Sequence, residues 1–511
     1  MPVVRAELPA TLYTAEQTRA LDRTAIEQYG LPGFKLMQRA GHAAFATLQK
    51  RWSGAKSVTV LCGAGNNGGD GFVVAGLAHQ HGLRVQMLCI GDEPFEQRLR
   101  GEALDAWRWC RGLGVDAEYY RADSELRGEV LVDAMLGTGL SGPVHGLYER
   151  AIQQCNRSVQ PVLAVDIPSG ICSDTGQVLG VAVRADLTIT FIGLKQGLFT
   201  HQAVDYTGEV EFDSLLVPEA VYEEVPVSAF RTQAEDLAAA LGPRPRSSHK
   251  GGFGHVLVIG GDRGYGGAAI MAAQAALRAG AGLVSLATRR EHLTAALARQ
   301  PELMVNGVES GQDLEPLLER PDLLIVGPGL GRRAWGDQLL QQALESGKPM
   351  VMDADGLNLL AEKSWLQGAR RDNWILTPHP GEAARLLDED VATINRDRFE
   401  SVQRLQAQCG GVAVLKGAGS LSSDGDALHL CSAGNPGMAC GGMGDVLSGI
   451  VGGLWAQGLK PVDAARLGVF VHASAADRCA HRRGERGLMP TDLLGIIPAV
   501  INGWDETAKD R

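Results

Sequence analysis

The chain has no excess of positive charge, no long apolar run and no paired-cysteine motif, and each gap excludes a class of function. Lysine and arginine number 48 against 59 aspartates and glutamates, a formal net charge of −11. Nonspecific nucleic-acid binding and adsorption to an anionic membrane both need a basic field, so neither partner is expected. No apolar run approaches the roughly 18 residues of a membrane span. The opening stretch MPVVRAELPATLYT lacks the basic-then-apolar layout of a secretory leader. The nine cysteines (Cys62, Cys89, Cys110, Cys155, Cys172, Cys409, Cys431, Cys440, Cys479) include no CxxC pair. A disulfide framework or zinc site is therefore not expected, and free thiols in a reducing cytoplasm are. Fixed-period repeats and low-complexity segments are missing, as is the GxxxxGK[ST] of a P-loop.

Glycine, by contrast, is abundant: 66 of 511 residues, or about 13%, against a usual share of about 7%. The glycines cluster at the ends of apolar runs, where backbone can approach a ligand closely. A chain this long predicts two or three domains. Thr14 and Gln17 predict a capping box opening the first helix. Apolar runs at Val58–Leu61, Val85–Ile90, Val130–Val132, Val162–Val165 and Leu187–Ile192 alternate with helix-like stretches. Continuous apolar runs suit strands buried on both faces of a parallel sheet. A second series runs through Val256–Ile259, Leu283–Leu286, Leu323–Val326, Met350–Met352 and Val412–Leu415. Between the two series lie Pro218, Pro226, Pro243 and Pro245, which mark a boundary. The expected organisation is two α/β domains, 1–220 and 236–511, joined by a linker at 221–235.

In the first half, Gly63 to Gly71 sits between a strand and an expected helix Phe72–His81. A glycine-rich turn at a helix start offers amides to an anion. A mere tight turn is the alternative, but Asn66, Asn67 and Asp70 add ligand groups that such a turn does not need. Asp133 ends another strand and leads into Gly137-Thr138-Gly139-Leu140-Ser141-Gly142-Pro143, while Asp166 ends a third and leads into Ile167-Pro168-Ser169-Gly170. Ligands bind at the carboxyl ends of strands in open parallel sheets. Asn67, Asp133 and Ser169 could give oxygen ligands to a hard cation, and Asp166 could exchange a proton. Each Asp alone could equally be a turn or cap residue.

These four segments (YTAEQTRALD, NNGGDG, VDAMLGTGLSGP and AVDIPSG) resemble the NAD(P)H-hydrate epimerases over roughly residues 10–215. The resemblance implies a Rossmann-like domain whose Asn66, Asn67, Gly68, Gly69, Asp70, Gly137–Pro143 and Asp166 contact a hydrated nicotinamide nucleotide. It also implies a potassium ion held by Asn67, Asp133 and Ser169.

In the second half, GGDRGYGGA, GPGLG, DADGLN, TPHPGE and KGAGS each follow an apolar run. The most informative element is Asn435 to Gly449, which contains Gly442-Met443-Gly444-Asp445. A GxGD turn opening a helix pairs oxyanion donors with one carboxylate, a combination suited to phosphoryl transfer with Asp445 as proton acceptor. A glycine-rich helix start with Asp as dipole partner is the alternative.

The turn resembles that of the ribokinase-like superfamily, and the whole set is similar to ADP- or ATP-dependent NAD(P)H-hydrate dehydratases over about residues 236–505. The resemblance implies a ribokinase-like α/β/α domain. Ala268, Gly329, His379 and Asp445 would meet the nicotinamide hydrate. Lys416, Gly417, Ala418, Gly419, Ser420 and Gly444 would meet the adenine nucleotide, with Mg2+. The implied work is cofactor repair: reduced nicotinamides that have added water across a ring double bond (NADHX and NADPHX) are epimerised between R and S forms. The S form is then dehydrated at the expense of ADP or ATP. A cytoplasmic homo-oligomer, tetrameric or larger, is expected. The alternative is a ribokinase-like kinase of a small alcohol or vitamin precursor with an N-terminal nucleotide-binding regulatory module.

Overall fold

The computed structural model describes residues 8–363 and 370–503. Residues 1–7 and 504–511, the outer ends of the two expected domains, lie outside the described residues. The chain divides into two compact units, with the boundary after Phe230.

The first unit carries β1 (Thr11–Tyr13), β2 (Ser57–Cys62), β3 (Arg84–Cys89), β4 (Ala117–Tyr119), β5 (Val130–Ala134), β6 (Val162–Val165), β7 (Leu187–Phe191), β8 (Leu194–Lys195), β9 (Glu209–Asp213) and β10 (Ala229–Arg231). Seven of these form a sheet of order β4-β3-β2-β5-β6-β7-β9 that is parallel throughout. Leu12 of β1 pairs with Leu194 on one side and with Ala229 on the other. Alternation along the central strands sends Val58, Val60, Val130 and Val132 into one apolar cluster, which includes residues of helices Ala15–Glu27, Gly33–Arg51 and Asn66–Gln80. Leu61, Leu88 and Leu131 face the opposite cluster, with Ile152 of helix Gly146–Arg157. Both faces are covered, as the unbroken apolar runs required. The order reverses at β2 and β5, so the crevice of this Rossmann-like sheet opens at the ends of those strands.

Thr14 and Gln17 form the expected capping box. The helix after β2 differs from expectation: it starts at Asn66, not Phe72, so Asn66–Asp70 are its first turns and not a preceding loop. Glycine disfavours a helix by about 1 kcal/mol per residue, yet close packing demands it here. A side chain on Gly69 would strike Met37, and one on Gly71 would strike Ala134 and Cys62. Leu215, Val217, Val221 and Val225 are buried in the same unit's core.

The second unit carries β11 (His255–Ile259), β12 (Leu283–Thr288), β13 (Met304–Gly307), β14 (Leu323–Val326), β15 (Met350–Met352), β16 (Trp374–Leu376), β17 (Val412–Leu415), β18 (Ser420–Ser423) and β19 (Leu428–Cys431). Their order is β13-β12-β11-β14-β15-β16-β17-β18-β19, parallel as far as β17 and antiparallel beyond it. Val256, Val284, Ile325, Val351, Ile375 and Val414 point to one face, in a cluster with helices Gly266–Ala279, Met443–Ala456 and Pro461–Arg483. Helices Ala334–Glu345, Ala354–Glu362, Pro380–Leu387 and Arg398–Cys409 pack on one another in a second group. The arrangement is ribokinase-like α/β/α. Its strand order reverses between β11 and β14.

Candidate active sites

In the first unit the expected residues converge on the β2–β5 crevice. Gly137 lies between two of the loops: a methyl placed there would be 3.2 Å from Cβ of Asn67 and 3.6 Å from Oδ2 of Asp166. Asp133 is fully buried; its Oδ1 accepts from Ser169 Oγ at 2.6 Å and its Oδ2 from the Ser169 amide at 2.7 Å. Burial pushes the Asp133 carboxyl up to about 6, against the lowering pull of the Ser169 bonds. Asn67 is buried as well, and neither its amide oxygen nor its amide nitrogen has a hydrogen-bond partner. Further along the GTG stretch, Leu140 closes a turn on the Gly137 carbonyl, and Arg19 donates to the Thr138 carbonyl.

Sequence reasoning missed two residues here. Lys195 is buried on β8, and its ammonium donates to Asp166 Oδ1, to Thr190 Oγ1 at 3.0 Å and to the Phe191 carbonyl at 3.1 Å. Asp22, from the first helix, stands in the same field; burial pushes it up to about 6, with Lys195 opposing and Asp166 adding. Asp70 is also pushed well up, by burial first and then by Asp166 and Asp22. The only sequence signal for Lys195 was a lysine ending an apolar strand.

In the second unit the loops after β11 and β14 meet at the switch point. The Gly261 amide donates to the Pro328 carbonyl at 3.0 Å, and a methyl on Gly329 would come within 3.2 Å of Ala268 Cβ. Farther along the same edge, Lys416 Nζ donates to Asp353 Oδ1 at 2.7 Å and stands 3.8 Å from Glu382 Oε2. A methyl on Gly444 would be 3.3 Å from that ammonium. Asp445 opens helix Met443–Ala456, and its carboxyl is pushed up to about 7, chiefly by burial and then by Asp353. His379 caps helix Pro380–Leu387, where Nδ1 accepts from the Gly381 amide at 2.9 Å. Burial and then Lys416 lower its pKa.

The Ser420 hydroxyl ties the loop to itself: it accepts from the Gly417 amide at 3.2 Å and donates to the Gly417 carbonyl at 2.9 Å. Missed residues include Ser448, which donates to Asp353 Oδ2 at 2.7 Å. Arg398 is another, a buried guanidinium that donates to the carbonyls of Leu415, Lys416 and Gly419 and so shapes the Lys416 loop. His472 is a third: its Nε2 is buried without a partner, and burial and Lys416 push its pKa down to about 4. No group of three or more His, Cys, Asp or Glu is arranged to hold a metal ion among the described residues. None of their helices is long and apolar enough to cross a membrane.

A parallel sheet with a polar switch-point crevice, followed by a GxGD centre with a buried carboxylate, defines the class: a two-site α/β enzyme of nucleotide chemistry. Family models match each half, "YjeF-related protein N-terminus" over residues 33–197 and "NAD(P)H-hydrate dehydratase" over 256–499. A bifunctional NAD(P)H-hydrate repair enzyme of Coxiella burnetii is 47% identical, covering 96% of this chain and 99% of that protein. One of Escherichia coli K12 is 44% identical, covering 97% and 95%. A solved ADP/ATP-dependent NAD(P)H-hydrate dehydratase of Bacillus subtilis, co-crystallised with ATP/Mg2+, is 26% identical, covering 53% of this chain and 98% of its own, with a TM-score of 0.47. The chain belongs to the bifunctional NAD(P)H-hydrate repair enzymes, with epimerase and dehydratase in one polypeptide.

Proposed function

We propose that Asp445 is the base of the dehydratase and Asp166 the proton-exchanging group of the epimerase. The observation that carries the reading is the placement of Asp445: a carboxyl poised near neutrality at a helix start, beside the Lys416 ammonium and backbone amides. A general base works best with a pKa near the working pH. Asp445 takes the proton of the hydrate's hydroxyl as that oxygen attacks the terminal phosphoryl group of ADP or ATP. The shortened nucleotide departs. The ring nitrogen's lone pair then expels phosphate from carbon, and loss of the neighbouring ring proton restores the double bond. Lys416 and the amides of the Gly444 turn balance phosphoryl charge, with Gly417, Ala418, Gly419 and Ser420 lining the nucleotide's side. Ala268, Gly329 and His379 take the nicotinamide side. Magnesium ordinarily binds through one or two carboxylates plus phosphates, so it would arrive on the nucleotide.

In the first unit, Asn66–Asp70 and Gly137–Pro143 receive the hydrate. A potassium ion fits the remaining donors: Asn67 offers a buried, unpartnered amide oxygen, and Asp133 with Ser169 adds oxygens and a single charge. Bound there, it would offset the buried Asp133 charge and fix the three loops. Free cysteines throughout the described residues support a reducing, cytoplasmic setting. A homo-oligomer of tetramer size or larger is proposed with it, to be read by light scattering.

The test is incubation with separated R and S hydrates and each nucleotide. Repair predicts free phosphate and recovered absorbance of the reduced nicotinamide. A stable phosphorylated product would instead identify a kinase.

A further inference from the structure

Lys195 is 1% exposed, and a buried ammonium is costly unless every donor is used and its charge is met. All three of its N–H groups are satisfied: Asp166 Oδ1, Thr190 Oγ1 at 3.0 Å and the Phe191 carbonyl at 3.1 Å. A methionine would fill such a site with less penalty, so packing alone does not explain the lysine. Its partner is held as firmly. Asp166 sits at φ +71°, in the left-handed region that a non-glycine residue rarely enters, and its amide donates to the Ile189 carbonyl at 2.7 Å. Such backbone strain persists where the surroundings over-determine it, often at functional sites. Strand β7 therefore fixes the Asp166 backbone while Lys195, anchored on the same strand, fixes the carboxylate.

We propose that Lys195 is a positioning residue of the epimerase reaction, holding one oxygen of Asp166 so that the other faces the hydrate's hydroxyl-bearing carbon. Gly137, 3.6 Å by its virtual methyl from Asp166 Oδ2, is the backbone that leaves this second oxygen open. The inference rests on the assignment of Asp166 made above. The C–O bond of the hydrate breaks with its electron pair leaving on oxygen, which takes a proton and departs as water. The ring nitrogen's lone pair closes the cation. Water then adds from the opposite face and returns one proton to a carboxylate, so atoms and charge balance over the cycle. Held through its other oxygen by Lys195, Asp166 is placed to receive that proton. Asp22 and Asp70 are the other titratable groups facing Lys195; burial pushes both up, which suits them to supply the departing proton.

The experiment measures interconversion of separated hydrates by full-length chain carrying Lys195→Met, Thr190→Val or Asp166→Asn, across hydrate concentration, with a thermal melt of each. Lys195→Met should lower epimerase kcat by about a hundredfold, the order expected for a misplaced catalytic group. KM should stay near the wild-type value, because the loops that receive the hydrate are untouched. Thr190→Val keeps the shape and the ammonium but removes one anchor, so kcat should fall about tenfold with the melt preserved. Wild-type kcat in either folded variant, or a Lys195→Met whose loss lies in KM with kcat kept, overturns the proposal. If Lys195→Met does not fold, Thr190→Val decides alone: reduced kcat supports the proposal and wild-type kcat overturns it. Near-full turnover by Asp166→Asn would instead sink the underlying site assignment, a result the lysine variants cannot mimic.

Discussion

Lys416 and Ser448 hold opposite oxygens of one carboxylate: each donates to Asp353 at 2.7 Å, Lys416 from the loop after β17 and Ser448 from helix Met443–Ala456. Asp353 is buried to 1% exposure, so removing its cation leaves an uncompensated charge. Lys416→Met should therefore lower the stability of the second unit by about 3–5 kcal/mol, read by denaturant titration. It should also abolish dehydration, because the phosphoryl charge loses its cation. Epimerisation by the same preparation should persist. Unchanged dehydratase turnover in a folded Lys416→Met variant would separate the lysine from the nucleotide.

Dehydratase kcat/KM should fall as pH drops through about 7. Asp445 acts in its deprotonated form, and its carboxyl is pushed up to about 7 by burial and then by Asp353, Asp355 and Glu382 against Lys416. Protonation below that value removes the base. Asp355→Asn deletes one of the charges that raise Asp445 yet keeps an oxygen for the Gly331 amide it accepts from at 2.9 Å. The acidic limb should then move down by less than about one pH unit. Asp445→Asn should remove the activity itself, by about 10²–10⁴-fold. A limb that stays in place in Asp355→Asn would assign it to another group.

The central strands were legible because burial on both faces leaves little that is polar in them: Val162–Val165 and Leu323–Val326 are apolar at every position. Edge strands were not. Glu209–Asp213, at the sheet edge, is half-buried with three acids in five residues; Ser420–Ser423, though paired on both sides, was equally hidden because its serines offer no apolar pattern. The helix start at Asn66 was hidden by glycines, whose packing role needs the neighbouring backbone to be seen. Site residues on strand-end motifs were legible for the same reason the strands were. Lys195 and His472 were not, since each reaches its site from an element with no motif of its own; Asp22 and Ser448 sit inside quoted motifs, on helices whose inward-facing side chains only the fold reveals.

Epimerisation should respond to potassium. Asn67, Asp133 and Ser169 supply oxygens and one full charge, too weakly charged a set for the divalent cations, which usually recruit more carboxylates or phosphates. Activity assayed with K+ should exceed that with Li+ or a bulky organic cation at equal ionic strength. Asn67→Ala should flatten the difference by removing the unpartnered amide oxygen. Equal rates in all three salts would leave Asn67 without a cation to satisfy.

The two activities should separate at Phe230, and a cut about fourteen residues earlier should fail. Val217, Val221 and Val225 are buried in the first unit's core, and Ala229 and Phe230 pair with Leu12 and Thr11. A piece ending near residue 216 would lose three buried valines, each worth about 1.5–3 kcal/mol if fully buried. That approaches the whole 5–15 kcal/mol stability of a typical domain. Residues 1–230 should therefore stay folded and interconvert the hydrates, while 1–216 should melt tens of degrees lower or not fold. Residues 231–511 carry their own sheet and GxGD centre, so they should dehydrate the S hydrate. On pure R hydrate they should stall at its spontaneous rate of conversion. Adding 1–230 in trans should relieve the stall, because the hydrates diffuse between sites. If both pieces fold, yet each performs its reaction only when mixed with the other, a site must draw residues from both units. The assignment of one complete site to each would then be wrong.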